Sequence, residues 1–469
     1  MQYNELFASI DKAVERFKKW DKSKTIQVIS HLDADGISAC AILTKILNKE
    51  NRKYSISILQ QLSRKGVEDI AKSDYGYVIF ADFGSGQIND IVELLKEKEV
   101  IVLDHHQPEE AEVGENINHV NPHLNGIDGS KEISGAGVVY LFAKALNEEN
   151  EKLAYIAIIG AIGDVQEEGE FMKLNKEILE TAIKHGKIEV KRGLRLFGTQ
   201  TRPIHKVLEY CSDPFIPGVS GSESGAIQFL HHLGIEPKEK SSWKKLRDLT
   251  EDEMQKLVAG IIMKRFEEEN PEDVLGNIYL LPDEEEGSPT KDVREFATLL
   301  NACGRMGKAS FGIGACLGEE RARQKALNTL AEYRREIVGA LNWYNDNKDK
   351  LIKGNGFVII NAEDKINPNI IGTMASIISK GNGIEEGVYV LSLARSKKDM
   401  TKVSLRISGM RKNKDLDLRD IAKEIVDEVG GEAGGHQYAA GALIESSKEK
   451  EFLRVAENVL NKHNKISKK

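Results

Sequence analysis

Apolar and polar positions follow two rhythms in the first third of the chain. Short apolar runs at Thr25–Ser30 (TIQVIS), Tyr54–Leu59 (YSISIL), Tyr77–Asp82 (YVIFAD) and Val100–Asp104 (VIVLD) predict strands. Between them, Ile37–Asn48 and Ile88–Lys96 carry apolar residues at helical spacing. Apolar strands separated by helices predict an α/β fold with a parallel sheet covered on both faces. The longest apolar run, Leu153–Gly163 (LAYIAIIGAIG), is too short to span a bilayer and predicts a buried helix. The first twenty residues form a charged amphipathic pattern without the apolar region of a signal peptide.

From about Gln200 to Asp283 the texture changes to PFIPGVSGSESG and then to charged helical patterns, which predicts an inserted helical module. The acidic run Asp283–Pro289 (DEEEGSP) reads as a solvated linker. Within Arg321–Tyr344, Ala326, Leu330, Tyr333, Ile337 and Leu341 recur at three- or four-residue steps and predict one long amphipathic helix. A fresh strand pattern, FVII, follows Lys353–Gly356 and opens a smaller C-terminal α/β domain. The expected division is 1–199 for the main domain and 200–289 for the insert, a candidate protein-interaction module. Residues 290–345 complete the main domain and form the linking helix, and 346–469 form the second domain.

Formal net charge is −8, from 66 basic and 74 acidic residues, which excludes an evenly basic nucleic-acid coat. Any phosphate-binding surface is therefore local. The segment Arg395–Arg419 is such a strip, with nine basic residues against three acidic ones. Cys40, Cys211, Cys303 and Cys316 are scattered without Cys-x-x-Cys spacing, so neither a thiolate zinc site nor a disulfide framework is expected. A soluble, cytoplasmic protein without a membrane segment fits this composition.

The chemistry lies where the strands end. The first strand runs into His31-x-Asp33-x-Asp35, another ends at Asp82 and another at Asp104-His105-His106, while Asp164 follows the buried helix. In open parallel sheets, ligands bind beyond the carboxyl ends of the strands, so these groups converge. Alone, Asp-x-Asp before a glycine is usually a turn or a helix cap, and a lone His-His pair, such as His231-His232, is usually surface. Their conjunction turns the reading round. Like charges crowded beside imidazoles need a strong positive partner, and two divalent cations about 3.5–4 Å apart supply it. A His/Asp set without Cys favours two Mn²⁺ ions, with Mg²⁺ or Co²⁺ as substitutes.

The segments HLDADGISA, FADFGSG, VLDHHQP, SGAGVVY and IGDVQ together resemble the motif series of the DHH phosphoesterase superfamily. VSLRIS and GGEAGGHQYAAGA resemble the DHH-associated domain of RecJ-type exonucleases. LLNACGRMG and CSDPFIPGVSG resemble archaeal RecJ-like proteins, including the GINS-associated nucleases. The resemblance implies a parallel-sheet catalytic domain with the helical insert, joined by the long helix to a substrate-binding α/β domain. It implies that His31, Asp33 and Asp82 hold one cation, and that Asp35, Asp82, His105 and Asp164 hold the other. His106 would face the scissile phosphate, with Asp104 orienting its neighbours. Ser404, Arg406, Gly434, Gly435 and His436 would bind substrate phosphate, and Asn301 and Arg305 would lie near the substrate path. The two domains would form a cleft suited to a single strand.

The function expected is therefore a two-metal, Mn²⁺-dependent exonuclease on single-stranded DNA or RNA that releases 5′-mononucleotides during replication or repair. Too few residues follow Gly441 for the OB-fold of bacterial relatives, which leaves polarity and sugar preference open. Two alternatives stand beside it. One is a phosphodiesterase for short oligonucleotides or cyclic dinucleotides. The other is a GINS-binding scaffold of the replicative helicase with little catalysis, against which the complete set of implied metal ligands speaks.

Overall fold

The structure is a computed structural model that describes residues 3–467 apart from 168, 212, 213, 382, 397, 398 and 410–415. Much of the cationic strip, namely Lys397, Lys398, Arg411, Lys412 and Lys414, lies outside the described residues, as does the side chain of His436. The chain forms two compact units, Met1–Leu330 and Ala331–Lys469.

The first unit is built on strands β1 (Thr25–His31), β2 (Lys53–Leu59), β3 (Tyr77–Ala81), β4 (Glu99–Leu103) and β5 (Ile117–Val120), in the order β2-β1-β3-β4-β5. Every pairing in this sheet is parallel. Ile29, Val78, Phe80, Val100 and Val102 pack with Val67, Ile70, Ile88 and Ile91 of two helices, and alternation sends their neighbours to the opposite face. The helices Ala34–Lys49, Gly135–Leu146 and Ala154–Gly163 pack on one another, and the first lies against β1. Polar Asn118 and His119 break the apolar pattern of β5, so that strand was not legible beforehand.

Strand order reverses at β1, whose neighbours are β2 on one side and β3 on the other. Such a switch opens a crevice at the carboxyl ends. The register then fixes the level. Ser30 lies opposite Ala81, and Ala81 opposite Leu103, so His31, Asp82 and Asp104 take the next step together.

The insert leaves and returns at one place, because β6 (Glu189–Leu194) pairs antiparallel with β9 (Leu275–Leu280). Between them, three helices and the two-residue strands β7 (Lys238–Glu239) and β8 (Ser242–Trp243) surround a separate core that includes Ile204, Leu208, Phe229, Leu257 and Ile261. The acidic run 283–289 is a loop as expected, yet Glu284 is anchored, accepting a hydrogen bond from Arg323 at 2.9 Å. Helix Val293–Arg305 ties the base of the insert to the sheet. Its Glu295 accepts from the Gln200 amide at 2.9 Å. Its Asn301 Oδ1 accepts from the Ala34 amide at 3.1 Å. A Cβ on Gly304 would stand 1.6 Å from the Leu32 carbonyl oxygen, so only glycine lets this helix lie against the turn after β1.

The long helix spans Glu320–Asp346. The second unit holds a mixed sheet of β10 (Ile352–Gly354), β11 (Phe357–Asn361), β12 (Tyr389–Arg395), β13 (Met400–Ile407), β14 (Glu432–His436) and β15 (Ala439–Glu445), in the order β10-β11-β12-β13-β15-β14. Leu391, Val403 and Leu405 pack with Ile425, Phe452 and Leu460 of two helices. Ser404 and Arg406 alternate with them onto the other face, where helix Pro368–Lys380 lies. Among the described residues no helix is long and apolar enough to cross a membrane.

Asp292 caps helix Val293–Arg305, accepting from the amides of Arg294 (2.8 Å) and Glu295 (3.3 Å). Burial pushes its carboxyl up to about 6, with Arg294 opposing the shift and Glu295 adding to it. A raised folded-state value means that stability is greatest while the group is protonated and is lost as pH rises through about 6. Asp292→Asn keeps a good cap without the charge. It should raise stability at neutral pH by up to about 3 kcal/mol, and urea midpoints of variant and parent should converge in acid.

Candidate metal centre

Each acidic group owes its place to a local feature of the chain. Asp33 caps helix Ala34–Lys49, its Oδ1 accepting from the Gly36 amide at 3.0 Å, while Oδ2 lies 2.9 Å from His31 Nδ1. The cap and the metal-ligand readings are thus both accommodated, one by each oxygen. Asp35 is 1% exposed and faces the start of helix Gly135–Leu146, accepting from the amides of Gly135 (2.7 Å) and Ala136 (3.0 Å). The positive end of that helix holds the charge. Asp82 follows β3 in a left-handed conformation (φ 57°), a strained geometry that persists only where its surroundings impose it.

The carboxylate of Asp82 stands between two groups of potential ligands. Its Oδ2 lies 3.8 Å from His31 Nδ1, and its Oδ1 lies 3.2 Å from His105 Nε2. His105 Nε2 is also 3.7 Å from Asp35 Oδ2 and 3.8 Å from Asp164 Oδ2. Potential ligand atoms of His31, Asp33 and Asp82 fall within 4.8 Å of one another, and so do those of Asp35, His105 and Asp164. Asp82, His105 and His106 form a third such group.

Hydrogen bonding tests whether cations fit. Both oxygens of Asp82 and Nε2 of His105 are buried and make no hydrogen bond among the described residues. Buried polar atoms left so cost free energy unless another partner takes them. Here they lie within 4.8 Å of further carboxylate and imidazole atoms, and the residues fit two divalent cations.

The metal-free electrostatics agree. Burial raises Asp82 well above the usual carboxylate range, and Asp35 and Asp33 raise it further. Burial also raises Asp35, against the pull of His105. Burial works against a proton on His105, but Asp164, Asp35 and Asp104 overcome it and lift the imidazole to about 9.

Asp104 supports the histidines from beneath. It is fully buried and accepts from the amides of Ser85 (2.8 Å), His105 (2.8 Å) and His106 (3.2 Å) and from His106 Nδ1 (2.8 Å). Burial alone would raise its carboxyl; His106 and these bonds carry it well below the ordinary range. In return, and against burial, Asp104 lifts His106 to about 9. Asn121 completes the support, donating to Ser85 Oγ and to the His106 carbonyl at 2.8 Å each.

Several residues around the site carried no chemical signal of their own in the sequence. A Cβ on Gly135 would stand 2.4 Å from Asp82 Oδ1, and one on Gly160 would stand 2.3 Å from Asp35 Oδ1. Both glycines are therefore steric conditions of the pocket. The glycines of SGAGVVY and IIGAIG were visible, but only the packing of their helices explains them. Asn301 reaches the turn that carries Asp33 and Asp35, and Arg305 lies half-buried at the end of the same helix.

The other expected substrate residues belong to the second unit. Ser404 is opposite Gly441, which is opposite Gly434, so these three share a row across β13, β15 and β14. Gly435 lies one step along with φ 129°, where a Cβ would meet the Ala439 oxygen at 2.4 Å. Arg406 donates to Ser376 Oγ (2.8 Å) and to the carbonyls of Leu405 (2.8 Å) and Ala440 (3.0 Å). These bonds fix its guanidinium beside the row.

Family models match three segments: the DHH family N-terminal domain at residues 25–163, the DHH-CID domain at 196–278 and the DHHA1 domain at 355–462. An uncharacterised protein of Methanocaldococcus jannaschii is 31% identical over 460 residues, 96% of this chain and 98% of that protein. A Bacillus subtilis protein, provisionally named a prophage-derived single-strand DNA-specific exonuclease, is 32% identical over 167 residues, 33% of this chain and 28% of its own. RecJ of Thermus thermophilus, solved with Mn²⁺, shares the fold at a TM-score of 0.59 and 16% identity. The match covers 97% of this chain, which spans 55% of that one. CDC45 of Entamoeba histolytica matches with a TM-score of 0.65 at 12% identity, over 97% of this chain and 99% of that one. With the three domains in this order and a full-length archaeal relative, the chain belongs to the DHH family and has the RecJ-like fold.

Proposed function

We propose that the chain is a two-cation phosphodiesterase that shortens single-stranded DNA or RNA from one end and releases 5′-mononucleotides in cytoplasmic replication or repair. Mn²⁺ is the preferred ion, and Mg²⁺ or Co²⁺ can replace it. The observation that carries this reading is the Asp82 carboxylate, buried, strained and without a hydrogen bond among the described residues, between two sets of ligand atoms. His31, Asp33 and Asp82 would hold one cation, and Asp35, Asp82, His105 and Asp164 the other. The chemistry such cations supply when bound is activation of water and neutralisation of phosphate charge.

The protein's own groups do the rest. Asp104 takes Nδ1 of His106, so Nε2 would be the nitrogen offered to substrate. A proton held there donates to a non-bridging phosphate oxygen as its charge grows. Gly129 accepts from His105 Nδ1 at 2.7 Å, which leaves Nε2 to face the pocket. All four cysteines are buried, so water and not a thiolate is the nucleophile. In the second unit, Ser404, Arg406 and the backbone of Gly434 and Gly435, with His436, hold a phosphate of the strand. The single-strand exonuclease name of the Bacillus subtilis relative supports this substrate class.

A protein-docking role for the insert has its own observation. Phe266 and Met263 are 82% and 77% exposed, on a module with a separate core. GINS or another component of the replicative helicase is the proposed partner. Phe266→Ser should weaken binding to purified GINS at least about tenfold in a calorimetric titration, the scale of an aromatic anchor, and leave hydrolysis unchanged. Equal affinity for both proteins would remove the insert from this role.

Incubation with Mn²⁺ and single strands of DNA and RNA, labelled at either end, tests the main reading. Stepwise shortening from one end is expected, with Asp82→Ala slower by at least about 10²-fold and His106→Ala by about 10²–10³-fold in kcat. Intact long strands with rapid loss of dinucleotides would instead make the protein a small-substrate phosphodiesterase. A ligating imidazole must be neutral, so with His105 lifted to about 9, Mn²⁺ uptake should release protons and apparent affinity should rise with pH up to about 9. Calorimetry in buffers of different ionisation enthalpy measures that release; identical heats in every buffer would contradict it.

A further inference from the structure

Beside the centre lies a buried amide whose orientation is forced. Gln166 is 3% exposed, and its Nε2 lies 2.8 Å from Asp164 Oδ2 and 2.8 Å from the Gly129 carbonyl oxygen. Neither oxygen has a hydrogen to give when Asp164 is ionised, so the nitrogen of Gln166 must face them and its oxygen must face away. On that far side Asn175, 1% exposed, donates from Nδ2 to Gln166 Oε1 at 2.7 Å. Asn175 is itself fixed by its backbone amide, which donates to the Glu132 carbonyl at 2.8 Å. The two amides form a chain with one sense, running from the helix Lys173–Lys184 to a carboxylate of the pocket.

The Gly129 carbonyl gives this chain its reach. It accepts from Gln166 and also from His105 Nδ1, so one oxygen registers two of the three members of the Asp35, His105 and Asp164 group. The third member, Asp35, is held separately by the helix at Gly135. The contacts of Gln166 thus fall on the members of one ligand group, and its influence is selective between the two.

We propose that Gln166 is a positioning residue for the cation that Asp35, Asp82, His105 and Asp164 would hold, with Asn175 fixing the sense of its amide. The inference rests on the two-cation reading above. Gln166 sets which oxygen of Asp164 accepts a hydrogen bond and holds the carboxylate at the distance from His105 that a shared cation needs. Removing such outer support typically costs about 10–100-fold in metal affinity. Substitution of Gln166 acts on one ion and spares the other.

The experiment is a Mn²⁺ titration of metal-free full-length protein, following free Mn²⁺ by electron paramagnetic resonance and heat by calorimetry, without nucleic acid. The parent should bind two ions. Gln166→Leu should bind one with parental affinity and the second about 10–100-fold more weakly. Asn175→Leu should show the same split to a smaller degree, and it stands in if the first variant does not fold. Asp33→Asn should weaken the opposite ion, which identifies the two steps. Unchanged affinities in both leucine variants, or equal weakening of both ions, would overturn the role of Gln166. A parent that binds no Mn²⁺ would instead overturn the two-cation reading and this inference with it.

Discussion

The structure depends on a concentration of negative charge that the fold itself would otherwise oppose. Asp33, Asp35, Asp82, Asp104 and Asp164 meet at the carboxyl edge of β1, β3 and β4, three of them nearly or wholly inaccessible to water. Unpaired, such charges cost several kcal/mol each, and the protein neutralises them in different ways. Asp104 takes four hydrogen-bond donors, and Asp35 takes the positive end of a helix. Asp82 takes none among the described residues, and around that unmet demand the two sets of potential ligands are arranged.

That arrangement explains features that have no reason elsewhere. Three helices crowd the pocket closely enough that Gly135, Gly160 and Gly304 cannot carry a Cβ without displacing Asp82, Asp35 or the turn at Leu32. The strained φ of Asp82 breaks the extended course of β3 at the residue whose carboxylate lies between the two groups. A second layer, Ser85 and Asn121 beneath Asp104, and Gln166 and Asn175 beside Asp164, fixes side chains that must be in place before a ligand arrives. The rigidity of the centre is thus distributed over segments far apart in sequence.

The insert and the second unit relate to this chemistry differently. The insert enters and leaves through one antiparallel pair, so its core can vary without disturbing the sheet. Its base is nevertheless bound to the helix that buttresses the turn after β1, through Glu295 on one side and through Asn301 and Gly304 on the other. The second unit places Ser404, Gly441 and Gly434 in one row, so the small residues beside Arg406 come from strands paired in space.

The sequence by itself determined the strands β1 to β4, the long helix and the gathering of His and Asp at the strand ends. Apolar runs ending in His and Asp are local patterns, and local patterns survive without knowledge of the partner strand. It also determined which groups compete for charge, since five carboxylates at strand and helix ends require a counter-ion whatever their exact spacing. Only the tertiary structure decided the rest. The common level of His31, Asp82 and Asp104 comes from strand register, which no single segment encodes. That Asp33 is both cap and pocket ligand candidate depends on two oxygens with different partners. The roles of Gly135, Gly160, Asn121 and Gln166 depend on what lies across from them, and β5 forms because a neighbour completes a strand too polar to announce itself. Chemistry was written in residue types, and geometry in contacts between residues tens to hundreds of positions apart.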